Sequence, residues 1–223
     1  MKSIHKPIVI VGAGFAGMTV ALNLKRLNLS LPILVVDSEK KFIFKPLMYE
    51  VLSEEIRMWE VAPEFSDIFS NLGITFLRNR LTKLNLNENV VEFSDDLKIH
   101  YKYLVLCTGS VPNSFAVQGV SENCHFFNSL DDLAKLKSVL KSIQNKNENK
   151  KLYVIGAGPS GVEIACKIKD IHKNLIDITI VERSNEILSN NKIFNREEAE
   201  KAIEEKKINL MLNSTVLELS KNH

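Results

Sequence analysis

Short apolar runs alternate with longer stretches of helical periodicity along the chain. Residues 8–11 are β-branched and apolar, residues 18–27 carry apolar side chains at helical spacing, and residues 33–36 form a second apolar run. The same order of elements returns as residues 152–155, 162–172 and 178–181. Apolar strands that alternate with helices are typical of parallel sheets, so the pattern predicts two α/β units.

Further elements are predicted around these two repeats. Helices are expected over residues 64–71, 130–142 and 195–206, and strands over residues 73–77, 103–106, 208–212 and 215–219. Residues 81–86, 90–93 and 98–99 predict three antiparallel strands joined by Asn-rich and Asp-rich turns. Ser129 and Asp132 form a capping-box pattern. The aromatic-rich residues 38–52 predict a loop and a short helix over a core, and the polar tract 144–151 predicts a surface loop.

A glycine-rich turn joins the strand to the helix in each repeat. The first turn reads Gly12-Ala13-Gly14-Phe15-Ala16-Gly17, and the second reads Gly156-Ala157-Gly158-Pro159-Ser160-Gly161. Each is followed by a strand ending on an acid, Asp37 at 20 residues past Gly17 and Glu182 at 21 residues past Gly161. This is the dinucleotide-binding fingerprint in its required context, and it occurs twice. We expect two different dinucleotide ligands.

The residues of the first fingerprint have separate tasks. Gly12 permits a tight turn, Gly14 lets the backbone approach a pyrophosphate, and Gly17 allows close packing of helix on strand. Asp37 is expected to accept hydrogen bonds from a ribose. The unpaired N–H groups and the positive dipole end at the helix N-terminus favour binding of the negatively charged pyrophosphate.

The predicted fold class is α/β, with two Rossmann-like dinucleotide-binding units, of which the first carries a small antiparallel meander. We expect residues 1–118 to form the first domain and residues 119–223 to form the second. Thr108 and Gly109 follow the strand 103–106 and bring bare backbone to the carboxyl end of the parallel sheet, where ligands of α/β folds bind.

Composition and charge exclude several classes of protein. Lysine and arginine number 29 against 27 acidic residues, and no long basic run is present, so nucleic acid is not an expected partner. The three cysteines, Cys107, Cys124 and Cys166, form neither a Cys-x-x-Cys pair nor a metal-ligand spacing, so we expect no metal site. An odd number of cysteines argues against a disulfide framework, so we expect a reduced intracellular protein. The first strand begins too early for a signal peptide and no segment approaches 18 apolar residues, so we expect no export signal and no spanning helix.

These motifs resemble the two-dinucleotide-binding-domain flavoproteins of the pyridine nucleotide-disulfide oxidoreductase superfamily. Within that group, the chain is most similar to type II NADH dehydrogenases, single-subunit NADH:quinone oxidoreductases that do not pump protons. The similarity lies in Gly-Phe-Ala-Gly of the first motif, Phe-Lys-Pro-Leu-Met-Tyr-Glu-Val at 44–51, Leu-Val-Leu-Cys-Thr-Gly-Ser at 104–110, and Gly-Ala-Gly-Pro-Ser-Gly-Val-Glu-Ile-Ala at 156–165.

The resemblance implies FAD at the first fingerprint and NADH at the second. The implied FAD-binding residues are Gly12, Gly14, Phe15, Ala16, Gly17, Asp37 and Ser38, with Lys45 near the flavin, Leu81 by the adenine, and Thr108 and Gly109 behind the cofactor. The implied NADH-binding residues are Gly156, Gly158, Pro159, Ser160, Gly161 and Glu182. Cys107 stands where the family has alanine before Thr-Gly, and we expect it to be a core residue.

The family continues with a returning Gly-Asp motif, a quinone site and a membrane-binding amphipathic helix, none of which is visible before His223. We therefore expect the chain to be the N-terminal part of a longer enzyme, inactive with quinone by itself. The longer enzyme is expected to be cytoplasmic, to associate peripherally with the inner face of a membrane through that C-terminal region, and to pass electrons to quinone. The oligomeric state stays open, with a homodimer as one candidate.

The expected reaction is hydride transfer from NADH to FAD, with the cofactors supplying the chemistry and the protein positioning them. Glu163, in the first turns of the second helix, is the candidate for positioning the nicotinamide; the alternative is a carboxylate that only stabilises the helix N-terminus. Glu182 predicts NADH over NADPH, since a carboxylate binds the 2′-hydroxyl and repels a 2′-phosphate, whereas Arg183 acts against that preference.

Other functions remain open at this level. Disulfide reductases need a Cys-x₄-Cys pair after the first ribose acid, and residues 42–52 contain no cysteine. A sulfide:quinone reductase, which uses cysteines beside the flavin, stays open through Cys124 and Cys166. Another NAD(P)H-dependent flavoprotein reductase also fits. The alternative of a different class is a nucleotide-binding module without turnover.

Overall fold

The computed structural model describes residues 6–146 and 149–220. The strands are β1 (Ile8–Val11), β2 (Ile33–Asp37), β3 (Thr75–Arg78), β4 (Leu81–Asn85), β5 (Val90–Phe93), β6 (Lys98–His100), β7 (Tyr103–Leu106), β8 (Lys150–Ile155), β9 (Ile176–Val181) and β10 (Asn209–Met211). The helices are α1 (Phe15–Arg26), α2 (Met48–Leu52), α3 (Met58–Val61), α4 (Phe65–Ser70), α5 (Val120–Asn123), α6 (Leu130–Lys146), α7 (Pro159–His172) and α8 (Ile193–Glu205), and a 3₁₀ turn covers Lys45–Leu47.

The first of two compact units comprises residues 6–45 together with Met58–Val111. Its main sheet is parallel throughout, with the strand order β3-β2-β1-β7. Because side chains alternate along a strand, β1 and β2 bury one residue set on each face. Ile10 and Val35 pack with Phe65 and Phe69 of α4 on one face. Val9, Val11, Leu34 and Val36 form the other core with residues of the small antiparallel sheet.

That antiparallel sheet has the order β4-β5-β6 and matches the predicted meander. Val91 and Phe93 of β5 are buried against the parallel sheet. The meander therefore covers the face of the parallel sheet opposite the one on which α1 and α4 pack.

The second unit comprises Pro46–Arg57 and residues 112–220. Its parallel sheet has the order β10-β9-β8, and α8 packs against α7. Pro46–Arg57 falls within residues 1–118 of the chain, yet it packs with this unit. Met48, Val51 and Leu52 of α2 are buried there. Which unit binds FAD and which binds NADH stays a prediction at this point.

The predicted α/β fold class, with parallel sheets and a small antiparallel one, is confirmed. The capping box is also present, because the Ser129 amide donates to Asp132 Oδ2 at 3.0 Å and the Asp132 amide donates to Ser129 Oγ at 3.1 Å. These two bonds satisfy amide groups that the first turn of α6 leaves without intrahelical partners.

Two local predictions were wrong. The polar tract 144–151 is not all loop: α6 continues to Lys146 and β8 begins at Lys150, while residues 147–148 lie outside the described residues. The strand starts early because Lys150 pairs with Ile176 in the parallel ladder, and its polar side chain is exposed. In place of a strand at 215–219, the described residues there form one parallel bridge, between Gln118 and Glu218.

Candidate nucleotide-binding turns

The first glycine turn begins where β1 ends. Gly12 has φ of +95°, a left-handed conformation that favours glycine, and its amide donates to Val36 O at 2.7 Å. A Cβ at this position would lie 2.0 Å from the carbonyl oxygen of Cys107. The turn therefore passes directly over the end of β7, and only glycine fits.

The two later glycines of the turn meet opposite environments. A Cβ at Gly17 would lie 1.8 Å from Gly12 O, so α1 starts in direct contact with the turn. A Cβ at Gly14 would meet no heavy atom within 4 Å. Gly14 is also the N-cap of α1, and no side chain caps that helix. The open space beside Gly14 and the amide groups of the first helical turn together fit a phosphate group.

Asp37 is tied to the turn by its own side chain. The Ala13 amide donates to Asp37 Oδ2 at 2.6 Å, and the Glu39 amide donates to Asp37 Oδ1 at 2.8 Å. A carboxylate has about four acceptor positions, so two remain for ribose hydroxyls. Sequence reasoning identified the acid but missed this second task. The nearly equal distance between turn and acid in the two repeats was the sequence feature that could have indicated this contact.

The second turn repeats this geometry. Gly156 has φ of +99°, and its amide donates to Val181 O at 2.8 Å. A Cβ at Gly161 would lie 1.9 Å from Gly156 O, whereas a Cβ at Gly158 would meet nothing within 4 Å. Gly158 is the N-cap of α7, which begins with Pro159 and has no side-chain cap. The space that would take a phosphate is thus open in both units.

Glu182 closes the second turn as Asp37 closes the first. The Ala157 amide donates to Glu182 Oε2 at 2.7 Å, and the Ser184 amide donates to Glu182 Oε1 at 2.9 Å. Burial acts to raise the pKa of Glu182, but these amide hydrogen bonds outweigh it, and the pKa lies below its ordinary value. The carboxylate is therefore anionic at neutral pH.

The other predicted FAD residues all belong to the first unit. The half-exposed Phe15 ring contacts Phe42 and Phe44, with centroids 5.3 and 5.4 Å apart. Ala16 lies in the first turn of α1 and Ser38 directly follows β2, where its carbonyl accepts a hydrogen bond from Arg78. Thr108 and Gly109 follow β7, and the Thr108 amide lies 3.0 Å from the Cβ position of Gly12.

Lys45 and Leu81 are placed differently. Lys45 is the first residue of the 3₁₀ turn and the last residue of the segment 6–45 of the first unit. Leu81 begins β4 and packs against the core that contains Val36. Their predicted positions near the flavin and the adenine stay predictions.

Ser160 and Glu163 lie three residues apart near the start of α7, and both influence the pKa of Tyr49 on α2. Tyr49 was missed in the sequence, where it was one aromatic residue among several in residues 42–52. Burial is the main cause that raises the pKa of Tyr49, and the negative charge of Glu163 adds to the effect. The hydroxyl therefore stays protonated at neutral pH.

The three cysteines are free thiols in the structure. Burial raises the pKa of Cys124 and of Cys166, which reduces their thiolate fraction. Across residues 6–146 and 149–220, no cluster of His, Cys, Asp and Glu is arranged to hold a metal ion. In the same part of the chain, no helix combines the length and apolar composition needed to cross a membrane.

A family model described as pyridine nucleotide-disulphide oxidoreductase matches residues 6–223. The chain belongs to this family. The superfamily recognised from the motifs is therefore confirmed, and both glycine turns lie within the matched region.

Two curated family relatives are informative. The alternative NAD(P)H-ubiquinone oxidoreductase C1 of Arabidopsis thaliana is 31% identical over 226 residues, covering 92% of this chain and 44% of that protein. The demethylphylloquinone reductase NdbB of a Synechocystis strain is 31% identical over 225 residues, covering 97% of this chain and 56% of that protein. The chain spans about half the length of these relatives.

Solved structures with the same fold include NDH2 of Plasmodium falciparum in complex with NADH, with a TM-score of 0.85 and 20% identity over 97% of this chain and 49% of that chain. The sulfide:quinone oxidoreductase of Aquifex aeolicus has a TM-score of 0.84 and 18% identity, covering 96% of this chain and 52% of that chain. Both likenesses concern the fold alone.

Proposed function

We propose that the chain is the dinucleotide-binding part of an FAD-dependent oxidoreductase that transfers hydride from NADH to FAD and passes electrons on to quinone without pumping protons. The observation that carries the proposal is the pair of matching turns, each closed by an acid and each open beside its middle glycine. The curated relatives, whose names are NAD(P)H-ubiquinone oxidoreductase and demethylphylloquinone reductase, support quinone as the acceptor.

We assign FAD to the first turn. The space beside Gly14 would take the pyrophosphate, and the free acceptor positions of Asp37 would take the ribose hydroxyls. Phe15, Ala16, Gly17, Ser38, Lys45, Leu81, Thr108 and Gly109 complete the proposed FAD set. When bound, FAD supplies the hydride acceptor and the electron store of the reaction.

We assign NADH to the second turn, on the same physical grounds. The space beside Gly158 would take its pyrophosphate, and Gly156, Pro159, Ser160 and Gly161 would form the surrounding turn and first helical residues. Glu182 would accept the adenosine ribose hydroxyls, which favours NADH over NADPH. Glu163 would orient the nicotinamide end, so that positioning is this chain's main contribution to the rate.

The location and electron acceptor belong to the same proposal. We place the whole protein in the cytoplasm, peripherally at the inner face of a membrane, where a lipid-soluble quinone is available. A sulfide:quinone reductase is the second candidate function. It ranks below NADH:quinone oxidoreductase because burial raises the pKa of both Cys124 and Cys166, which disfavours the reactive thiolate.

The test begins with the absorbance spectrum of the purified 223-residue chain. FAD is added, the protein is separated by gel filtration, and the flavin-to-protein ratio is measured; NADH is then added without oxygen. The proposal expects a bound flavin whose absorbance bleaches with NADH, and weaker flavin retention in Gly14→Ala. Bound flavin that NADH cannot reduce would favour the nucleotide-binding module without turnover. Absence of binding by either nucleotide would contradict the proposal altogether.

A further inference from the structure

Three strand ends lie side by side at the carboxyl end of the parallel sheet in the first unit. The first glycine turn follows β1, β2 ends on Asp37, and β3 ends on Arg78. The strand order places β2 between β1 and β3, and Asp37 pairs directly with Arg78 in the ladder. Neighbouring strands lie about 4.8 Å apart, so Arg78 lies next to the acid, on the side away from the turn.

The Arg78 side chain reaches across the end of β2. Its Nε donates to Ser38 O at 3.2 Å, which holds the guanidinium beside the residue that follows Asp37. That bond uses only one of the N–H donors that a guanidinium carries. Within residues 6–146 and 149–220, Arg78 forms no ion pair with a carboxylate. Because Arg78 is exposed, a ligand at this end of the sheet can reach its planar group.

Hydrogen bonds on both sides fix the residue that follows Arg78. The Asn79 amide donates to Asp37 O at 2.9 Å, which ties the connection between β3 and β4 to β2. Asn79 Nδ2 donates to Asp95 Oδ1 at 2.8 Å. Ser94 Oγ donates to Asn79 Oδ1 at 2.9 Å. Arg78 therefore lies at the start of a connection that is held by β2 and by the turn between β5 and β6.

The order of the strand ends matches the order of the groups in the adenosine half of FAD. The pyrophosphate is assigned to the turn after β1, and the adenosine ribose is assigned to Asp37 at the end of β2. The pyrophosphate and the adenine are attached at opposite ends of that ribose, so the adenine reaches the next strand end, that of β3. A guanidinium suits a nucleobase there, because its plane stacks on the flat π face of the ring.

We propose that Arg78 binds the adenine of FAD by stacking its guanidinium on the ring, and thereby makes the first turn select a flavin dinucleotide over a flavin mononucleotide. The inference rests on the proposed function, because it takes FAD as the ligand of the first turn. The bond to Ser38 O orders the guanidinium before FAD arrives, which lowers the entropic cost of binding.

The experiment measures the dissociation constant for FAD by fluorescence titration of the 223-residue chain as wild type, Arg78→Met and Arg78→Lys. Arg78→Met keeps an unbranched side chain and removes the guanidinium. We expect it to bind FAD about fivefold more weakly, the factor for the loss of one exposed cation–π contact. Arg78→Lys keeps the charge without the planar group, so it should recover only a small part of the lost affinity.

Three controls separate stacking from a change in net charge or in folding. Arg26→Met makes the same substitution at an exposed arginine, at the opposite end of α1 from the turn, and should bind FAD as the wild type does. FMN carries the flavin and a phosphate but no adenosine, so Arg78→Met and the wild type should bind FMN alike. The melting temperature of the FAD-free chain should be the same in Arg78→Met and the wild type, because the Arg78 side chain is exposed.

The contrary outcomes separate this inference from the proposed function. Wild-type FAD affinity in Arg78→Met would overturn the inference alone, and so would full recovery in Arg78→Lys, since charge would then account for the effect. An equal loss of FMN affinity, an equal effect of Arg26→Met, or a lower melting temperature that accounts for the weaker binding would also overturn it. Failure of the wild-type chain to bind FAD would overturn the proposed function, and the inference with it.

Discussion

The Ala157 amide donates a 2.7 Å hydrogen bond to Oε2 of Glu182, which lies 25 residues further along the chain. The equivalent bond in the first unit joins the Ala13 amide to Asp37 at 2.6 Å. In both units, the acid that is expected to bind a ribose also holds the turn that is expected to bind the pyrophosphate. Ligand binding and local folding therefore depend on the same carboxylate.

The first prediction concerns nucleotide preference. In Glu182→Gln, the loss of the negative charge removes the repulsion of a 2′-phosphate. The single amide oxygen keeps one of the two backbone hydrogen bonds that the carboxylate accepts, and the NH2 group cannot accept the other. We expect the ratio of the NADPH and NADH dissociation constants to move toward NADPH by about tenfold, equivalent to about 1.4 kcal/mol. Fluorescence titration of both nucleotides measures the ratio.

Asp37→Asn is the matched control for this prediction, because it makes the same change at the other turn. It should weaken FAD binding and leave the NADPH-to-NADH ratio unchanged. A wild-type chain that binds NADPH as tightly as NADH would contradict the assigned role of Glu182.

The second prediction separates folding from binding at the first turn. Gly14→Ala adds a methyl group where no heavy atom lies within 4 Å, so the melting temperature should stay close to that of the wild type. The same methyl group would occupy the space assigned to the pyrophosphate, and we expect at least about tenfold weaker FAD binding. Gel filtration with added FAD and thermal unfolding give the two readouts.

Gly17→Ala is the comparison variant, since its Cβ would lie 1.8 Å from Gly12 O. It should lower the melting temperature strongly or prevent folding. Unchanged flavin binding in Gly14→Ala would show that the pyrophosphate does not lie beside this residue.

The third prediction concerns the cysteines. Cys124 and Cys166 have pKa values that burial raises, and the three thiols form no disulfide in the structure. We therefore expect flavin reduction by NADH to survive replacement of Cys107, Cys124 and Cys166 by serine. Anaerobic stopped-flow bleaching of the flavin measures this. Sulfide oxidation by the whole protein that is lost in Cys124→Ser or Cys166→Ser would instead support the sulfide:quinone alternative.

The fourth prediction concerns pH and His172, which is only 5% exposed at the end of α7. Burial lowers the pKa of His172, and its Nδ1 has no hydrogen-bond partner within the described part of the chain. The unfolded chain, with a histidine pKa of about 6.5, therefore takes up the proton more readily than the folded chain does. The stability that His172 contributes in its neutral form is present above that value and is lost as the pH falls below it.

His172→Gln removes this titration. We expect its melting temperature to fall less than that of the wild type between about pH 7.5 and about pH 5.5, a range above the ordinary pKa of carboxylates. His125→Gln is the control, because it makes the same change at an exposed histidine. A wild-type melting temperature that does not fall across this range would refute the role assigned to His172.

Both strand-turn-helix units were predictable from the residues alone, because their signals are local. A β-branched run, glycines at fixed spacing and apolar side chains every three or four residues act through the backbone of their own segment. The same holds for the meander and for the Ser129–Asp132 capping box. The acids at the ends of β2 and β9 were also identified, since strand length and helix length set their distance from the turns.

The remaining features depend on contacts between residues that are far apart in the chain. The amide bonds from Ala13 to Asp37 and from Ala157 to Glu182 form because parallel pairing brings β1 beside β2 and β8 beside β9. Pro46–Arg57 packs with the second unit because the buried side chains of α2 and two ion pairs hold it there. The Tyr49 ring meets Phe127 only through that packing, and no periodicity within a single segment encodes a contact of this kind.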